Sequence, residues 1–493
     1  MAEFLALLPI LMLMFCMIVL GWSAARSGMI GAAAGLGVAV LAFELPLGLV
    51  SFAGPVLEAS FLTATILWIV FPALAIHEFQ LRSGASERIG VWLVSISAHP
   101  QVLALLLAWF FALLLEGAAG FGTPIALVAP MLVSIGFSPQ RSLVLALIGH
   151  VVGVSFGAVG TPIVPLLEAS ALDPKQLSLM IMGLHAALGW ILALIVFRMA
   201  APADGQSKWI ALPLAAMLFL LPALALAWLA GPELPTLGGA LIGVLIFIGL
   251  ARRWSDGGRP PSSDRDGIVT AVMPYALVIG AILATRTIPA LAGTLKSILL
   301  EWELAGRFGG SVAPLFHPGT MLMLALVGTV IVRRNSRAAL LPSLSQALRR
   351  LPAVALALVS VLMLARIMVH SGMIETLAVA AAGVLGRTWP AAIPLVGALG
   401  AFVTGSATAS NILLSRFQVA AADTVGLAPL LALAGQGFGA AIGNVIAPHN
   451  IVAGAATVGL IGREGAILKK TLPVCIGYAS LGGMLLFALA NLW

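Results

Sequence analysis

The sequence predicts an all-α polytopic membrane protein, a single membrane domain over residues 1–493, and three observations carry that prediction. Of its 493 residues, 61% are hydrophobic and only 9% are charged, whereas a soluble chain carries about 25% charged residues. Apolar runs of roughly 20 residues, enough to span a bilayer, recur along the whole chain. Glycine and proline interrupt several of these runs, which predicts helices that break within the membrane.

The chain begins with an apolar run, Met1–Leu20, which has no basic n-region and carries Glu3 as its only charge. A cleaved signal peptide needs a basic start, so this run is predicted to be an uncleaved first span. Cys16 and Cys475 lie in apolar runs far apart, which indicates neither a disulfide framework nor a metal site.

Further candidate spans follow near residues 29–50, 60–79, 102–135 (interrupted), 141–168 (interrupted), 177–197, 209–229, 236–250, 268–285, 318–332, 351–369, 375–403, 405–422, 428–461 (interrupted) and 472–492. An interrupted run can either cross the membrane or enter and leave on one side. We therefore expect roughly 11–14 embedded segments at ~20 residues per span.

Four short loops hold most of the basic residues: Arg198–Lys208, Arg252–Arg265, Arg333–Arg350 and Arg463–Lys470. The positive-inside rule places such loops in the cytoplasm, and it explains the net charge of +7 better than nucleic-acid binding does. Trp493 and the segment Arg286–His317 are then external.

Two halves of the chain share a glycine pattern. Gly149, Gly153, Gly157 and Pro162 recur 286 positions later as Gly435, Gly439, Gly443 and Pro448, with His150 matched by Gln436. Glycines four apart also serve close helix packing, but the proline at a fixed distance favours a duplicated core. We therefore expect two repeats, inverted as in many secondary transporters, with a first repeat core at 101–200, intervening spans and loops at 201–389 and a second repeat core at 390–493.

Each repeat core begins with a break in an apolar run. In the first, Glu116 ends the run and Gly120, Phe121, Gly122 and Thr123 precede Pro124. In the second, Ser406, Thr408, Ser410 and Asn411 lie beside Gly405. Half-helix N-termini present free N–H groups to an anion, so these residues are predicted to bind a small carboxylate. The alternative is that the hydroxyls bond their own helix backbone.

Glu116 is the leading single candidate, because an acid inside a membrane run is costly and is functional by default. Removal from water penalises the charged carboxylate, so Glu116 is predicted to bind and release a proton. The alternative is a structural hydrogen bond to the free amides of the break. His150 is a second proton-coupling candidate, although a lone histidine in an apolar span, like His185, is more often a packed polar group.

A last cluster of candidates follows the second break. Asn444, His449 and Asn450, in Gly-Asn-Val-Ile-Ala-Pro-His-Asn, are predicted to contact the substrate.

The motif Leu-Glu-Gly-Ala-Ala-Gly-Phe-Gly at 115–122 closely resembles the signature of the L-lactate permease family. The order of segments 405–411 and 443–459, leading into Gly-Arg-Glu-Gly at 462–465, resembles that family too. The resemblance implies a secondary carrier for lactate, glycolate or similar 2-hydroxy-monocarboxylates, driven by proton symport across the inner (plasma) membrane. It also implies kinship with the ion-transporter superfamily, whose fold has a scaffold and a transport domain with two re-entrant hairpins.

The chain departs from the family pattern twice. Where members read Gly-Ser-Asp-Thr-Ser-Ser-Asn, this chain has Ala407 in place of the acid. Ala447-Pro448-His449-Asn450 replaces Ser-Pro-Gln-Ser. The first change removes a candidate proton or cation site.

Other function classes fit less well. An enzyme would need a nucleophile–base pair or a metal cluster within the membrane runs, and a channel would need a continuous polar stripe. No Gly-x-x-x-x-Gly-Lys-Ser/Thr motif exists, so ATP is not the direct drive, and no cofactor is expected. The expected partners are a small carboxylate, H⁺ and the bilayer, with a homodimer as a further expectation. The alternative is a sodium-coupled transporter of mono- or dicarboxylates.

Overall fold

A computed structural model describes residues 1–20, 22–46, 48–120, 122–202, 207–252, 265–461 and 463–492. Phe121, Trp493 and most of the Arg252–Arg265 loop therefore lie outside the described residues. Within them, eleven helices are long and apolar enough to cross a membrane, at the lower end of the predicted number.

The first part of the chain contains α1 (Ala2–Ile18), α2 (Ala24–Ala42), α3 (Leu49–Arg82), α4 (Ala85–Val94), α5 (Pro100–Ala104), a π-helical segment (Leu105–Phe111), α6 (Ala112–Ala118), α7 (Thr123–Ser134), α8 (Pro139–Gly149), α9 (Val151–Val154), α10 (Gly157–Gly160), a 3-10 turn (Thr161–Ile163), α11 (Val164–Ala169) and α12 (Pro174–Met199). The middle contains α13 (Ala211–Ala230), α14 (Pro235–Ala251), α15 (Arg265–Thr287), α16 (Pro289–Lys296) and the antiparallel strands β1 (Leu300–Leu304) and β2 (Phe308–Val312).

The last part contains α17 (Pro318–Val332), a 3-10 segment (Arg334–Ala339), α18 (Leu340–His370), α19 (Met373–Leu385), a 3-10 turn (Gly386–Thr388), α20 (Trp389–Thr404), α21 (Ala407–Val425), α22 (Pro429–Gly443), α23 (Pro448–Thr457) and α24 (Glu464–Ala490). The predicted all-α membrane fold is confirmed; the small β1–β2 hairpin is a local addition within the segment predicted to be external.

The run 375–403, predicted as one span, is two helices. Gly386 adopts φ +49°, a left-handed conformation that favours glycine, and the turn it starts separates α19 from α20. α20 then packs along α21 as one arm of a hairpin. The sequence does carry a signal for this break, because Gly386, Arg387 and Pro390 interrupt the apolar run.

The basic loop Arg333–Arg350 contacts the C-terminal end of α3, and we call this end of the molecule the basic end. There the Arg350 guanidinium lies 2.8 Å from the Glu78 carboxylate and Arg333 donates to the Gln80 side chain at 3.2 Å. At the opposite, outer end, Arg286 pairs with Glu233 at 2.6 Å. This separation of basic loops from the external segment fits the predicted orientation.

The first hairpin (α5–α7, Pro100–Ser134) enters and leaves at the basic end. Near its start, Gln101 donates to Phe197 O at 3.3 Å and accepts from Lys208 N at 3.0 Å. Just after its end, Arg141 donates to Ala201 O at 3.5 Å. Both ends therefore contact the same basic loop, and the hairpin is re-entrant.

The second hairpin (α20–α21, Trp389–Val425) opens at the outer end. Trp389, at its start, packs edge to face against Phe417 of α21, with ring centroids 5.5 Å apart. Arg416 donates to the carbonyl of Glu168, which lies at the outer end of α11, at 2.8 Å. The two hairpins therefore enter from opposite ends, and the two repeats are inverted.

The inversion extends to the surrounding helices. α2 packs against α18 and α17 packs against α3, while the long helices α3 and α18 pack against each other. α1 contacts α19 just as α15 contacts α4. These helices form the scaffold (α1–α3, α15, α17 and α18) that holds the hairpins.

A helix broken partway follows each hairpin. The first broken helix is α8–α11 (Pro139–Ala169), and the second is α22–α23 (Pro429–Thr457). Their glycines face their own hairpin: Gly149 lies against Ala108, and Gly439 and Gly443 against Pro394 and Ala398. Larger side chains at these positions would collide with backbone atoms of the hairpin. The repeated glycines therefore allow each broken helix to pack closely against its own hairpin.

Candidate functional site

Both hairpin tips meet the start of α23. Gly122, at φ +77°, precedes α7, and Gly405, at φ +76°, ends α20. A Cβ on Gly122 would lie 3.4 Å from Asn450 Oδ1, and one on Gly405 would lie 2.5 Å from His449 Nδ1. His449 and Asn450, two consecutive residues after the second break, therefore each contact one tip, and we call this place the junction of the tips.

The first broken helix is unwound beside this place. Ala158, Val159 and Gly160 have φ values of +41°, +54° and +82°. Left-handed backbone costs roughly 1–2 kcal/mol for each residue with a Cβ, and such strain is concentrated at functional sites. The Thr161 hydroxyl donates to Ala158 O at 2.7 Å and helps to hold this conformation.

Glu116 lies in the last turn of α6 and is 5% exposed. Its carboxylate rests against Gly157, and its Oε1 is 3.5 Å from the position that a Cβ on Gly120 would take. The absence of side chains on these two glycines makes room for the carboxyl group. The predicted membrane-buried acid therefore lies between the first tip and the first break.

His150 faces Glu116 from the first broken helix, with its Nε2 4.0 Å from Glu116 Oε2. Its Nδ1 lies 2.6 Å from Ala146 O, so Nδ1 must carry the hydrogen in that bond. In the neutral ring Nε2 is then an acceptor turned toward the acid. At 4.0 Å the two groups are beyond direct hydrogen-bonding distance. The structure thus brings together the two residues predicted to couple protons.

Gln436, the counterpart of His150 in the repeat, faces the second tip in the same way. Its Nε2 lies 3.2 Å from both Ser410 Oγ and Asn411 Oδ1. Ser410 donates to Gly397 O at 2.9 Å, and Asn411 donates to Pro162 O of the first broken helix at 2.8 Å. Ser410 and Asn411 therefore tie the second tip to both broken helices.

The remaining predicted binding residues differ in accessibility. Gly122, Ser406 and Asn444 are half-buried and His449 is exposed, whereas Thr123, Thr408 and Asn450 are buried. Those that an incoming molecule can reach here are therefore Gly122, Ser406, Asn444 and His449.

Several of these side chains bond within the protein. The Thr123 hydroxyl donates to Gly120 O at 2.6 Å, as the alternative of a self-bonded turn expects. Ser406 accepts from Ala409 N at 3.4 Å as the N-cap of α21. The Asn450 amide donates to the Asn444 side chain and, at 3.1 Å, to Asn444 O, which secures the second break.

Ala407, at the second tip, is packed in an apolar cluster. Its neighbours there are Val154, Ala401, Ala440 and Ala441, from α9, α20 and α22. The second tip thus carries a methyl group at position 407 and no carboxylate.

Sequence reasoning overlooked a charged cluster at the outer end. Glu58 accepts from His370 Nε2 at 2.9 Å, and Arg366 Nε lies 3.7 Å from the same carboxylate. Arg366 was detectable, because it is a lone arginine inside the apolar run 351–369, where a charge is costly.

His185 has hydrogen-bond partners at both ring nitrogens. Its Nε2 lies 2.9 Å from Ser155 Oγ and its Nδ1 lies 3.0 Å from the Tyr478 hydroxyl. Ser155, in the first break, also donates to Gly437 O at 3.1 Å. His185 is thus a packed polar group that supports the break. Among the described residues, no cluster of three or more His, Cys, Asp or Glu could hold a metal ion.

Comparison with known proteins identifies relatives over the whole chain. A family model for L-lactate permease matches residues 2–493. An L-lactate permease of Streptococcus iniae is 31% identical over 381 residues, which cover 74% of this chain and 79% of that protein. The glycolate permease GlcA of Escherichia coli (strain K12) is 27% identical and covers 97% and 94% of the two chains.

Among solved structures, the Alcanivorax borkumensis YdaH transporter has a similar fold. It matches with a TM-score of 0.50 at 14% sequence identity, over 90% of this chain and 88% of that one. This likeness concerns the fold alone. On the evidence of the whole-length family match, the chain belongs to the L-lactate permease family.

Proposed function

We propose that this protein is a secondary carrier that takes up L-lactate, glycolate or similar short 2-hydroxy-monocarboxylates by proton symport. The observation that carries the proposal is the convergence of both hairpin tips on His449 and Asn450, with Glu116 buried beside the first tip. The names of the relatives, lactate and glycolate permeases, support the substrate class.

The half-helices supply a place for the carboxylate. α7, α21 and α23 all begin near the junction, and the first N–H groups of a helix have no acceptor within it. Such N-termini favour an anion, and the accessible Ser406 and His449 side chains add hydrogen-bonding groups. A substrate of this class would place its carboxylate at the α21 or α23 N-terminus and its 2-hydroxyl against the neighbouring side chains.

The proton is assigned to Glu116. A charged carboxylate and a substrate anion moving together through a low-dielectric region would carry two negative charges, which is costly. A proton on Glu116 neutralises its carboxylate, so only the negative charge of the substrate remains. The helix N-termini stabilise that charge. His150, with Nε2 as an acceptor, would orient the protonated carboxyl group or pass its proton on.

Sodium coupling is the alternative. Asn411 and Gln436 are already bonded to protein atoms, and Ala407 brings no carboxylate to the second tip. A hard cation prefers several free oxygen ligands, so these contacts favour the proton.

The test uses purified protein in proteoliposomes with a pH-sensitive dye. Addition of L-lactate outside should alkalinise the medium at the same rate with and without Na⁺. Uptake that requires Na⁺ and moves no protons would replace proton symport by the alternative. Uptake of dicarboxylates in preference to lactate and glycolate would overturn the substrate class.

A further inference from the structure

Four elements meet at the outer end of the molecule around a small cavity. α3 and α18 come from the scaffold, while α11 and α21 belong to the first broken helix and the second hairpin. The cavity has a volume of about 30 Å³, and its lining includes Leu62, Glu168, Arg366, Ile412, Ser415 and Arg416. It therefore lies where the elements that carry the candidate site touch those that surround it.

Arg366 is poorly satisfied in this cluster. Its side chain is only 16% exposed, yet its nearest carboxylate oxygens, on Glu58 and Glu168, lie at 3.7 and 3.9 Å, too far for hydrogen bonds. No hydrogen bond from its five N–H donors is formed with the described residues. Glu58 is engaged by His370 at 2.9 Å and by Gly309 N at 3.4 Å. A partly buried guanidinium that lacks hydrogen bonds favours a planar anion.

Arg416 adds a second guanidinium from α21. It donates a hydrogen bond to the backbone carbonyl of Glu168 at 2.8 Å. Arg416 follows Asn411 by five residues, about 7.5 Å along a helix, so the cavity lies directly outside the second tip. An anion that enters from the outer end would pass these two arginines before it reaches the junction of the tips.

Glu168 occupies the position that an external anion would compete for. Its carboxylate is 49% exposed and reaches Arg366 only at 3.9 Å, so it can turn into solvent at low cost. The cavity as it stands has room for about one water molecule, and the departure of the Glu168 side chain would enlarge it. Glu58 and Glu375 are the other carboxylates near the two arginines.

We propose that Arg366 and Arg416 form an outer binding site for the carboxylate of the substrate, which Glu168 covers in this conformation. The proposal rests on the proposed function for its ligand, a short monocarboxylate. The substrate carboxylate would replace Glu168 on Arg366 with a closer, two-pronged contact, while Arg416 adds attraction from the second hairpin. The site is thus distinct from the junction of the tips and is used from the outer face only.

The experiment compares L-lactate uptake by right-side-out and inside-out membrane vesicles, and gives a KM for each face. We expect Glu168→Gln, which removes the competing charge from a half-exposed position, to lower the outer-face KM severalfold. Arg366→Gln should raise the outer-face KM about tenfold, the usual scale for loss of a hydrogen bond to a charged group. Neither should change the KM at the inner face. Arg387→Gln, at an exposed outer-end position, is the matched control and should leave both values unchanged.

Equal shifts at both faces would assign these residues to folding or to the central site, and would overturn the proposal. An unchanged outer-face KM in Glu168→Gln would overturn it as well. Glu168 is half-exposed, so this variant should fold normally and its result reports on the site alone. If the wild type transports lactate but the variants shift the KM equally at both faces, the proposed function stands and this inference falls. If the wild type takes up no lactate at either face, the proposed function falls and the inference with it.

Discussion

Glu116 is held at the end of a half-helix between two glycines that leave space for its carboxyl group. If it carries the coupling proton, Glu116→Gln should abolish lactate accumulation driven by a pH gradient. The amide keeps the shape and polarity of the acid but cannot release a proton. Exchange of labelled for unlabelled lactate needs no net proton movement, so it should persist in preloaded proteoliposomes.

Glu87→Gln is the matched control for this prediction, because Glu87 is an exposed glutamate on α4. It should leave both accumulation and exchange at the wild-type level. Equal loss of accumulation and exchange in Glu116→Gln would instead indicate a structural or substrate-binding role for the acid.

Gly405 combines left-handed backbone with a tight contact to His449. Gly405→Ala should therefore destabilise the protein by about 1–2 kcal/mol from the backbone alone and also displace the His449 ring. Gly426→Ala is the matched control. Gly426 has φ +71° but nothing within 4 Å of its Cβ position, so this variant shows the backbone effect without displacement of a neighbouring side chain.

We expect both alanine variants to lower the thermal unfolding temperature and only Gly405→Ala to reduce lactate transport strongly. Equal transport by the two variants would show that the contact between the second tip and His449 has no part in transport.

At the level of secondary-structure elements, the sequence predicted the breaks well because glycine and proline mark them directly. The glycine pattern with its constant offset also predicted the duplicated broken helices. The break between α19 and α20 was missed although Gly386 and Pro390 mark it. The sequence could not reveal that Gln436 bonds the second tip as His150 faces Glu116. Contacts between the two halves, such as that of Asn411 with Pro162, join residues 249 positions apart, and only the fold brings them together.

Asn411 forms a buried polar contact between the second hairpin and the first broken helix. Asn411→Ala leaves the Pro162 carbonyl and the Gln436 amide without this partner in a buried region, which costs about 1–3 kcal/mol for each unsatisfied group. We expect a clearly lowered thermal unfolding temperature and slower transport.

Asn491→Ala is the control, because that side chain also donates to a carbonyl, Phe487 O, but at an exposed helix end. It should change neither the unfolding temperature nor the transport rate. If the two variants were equally stable, the Asn411 contacts would not be what fastens the second tip.

For the whole molecule, the positive-inside rule predicts that the basic loops lie on one side of the membrane. What the sequence could not decide was whether the interrupted runs cross or re-enter. The answer depends on where both ends of a hairpin dock: Gln101 and Arg141 contact one basic loop, while Arg416 contacts Glu168 at the outer end.

The charge of the transport cycle is a property of the whole molecule. At the two tips and the two breaks, the described residues include one carboxylate, Glu116, because the second tip has Ala407 in an apolar cluster. One proton and one monocarboxylate together carry no net charge. Uptake should therefore follow a pH gradient and should not respond to a potassium–valinomycin membrane potential, as measured by labelled L-lactate in proteoliposomes. Faster uptake under an interior-negative potential at constant pH would mean that more than one cation enters with each lactate, and a second coupling site would then have to exist beyond Glu116.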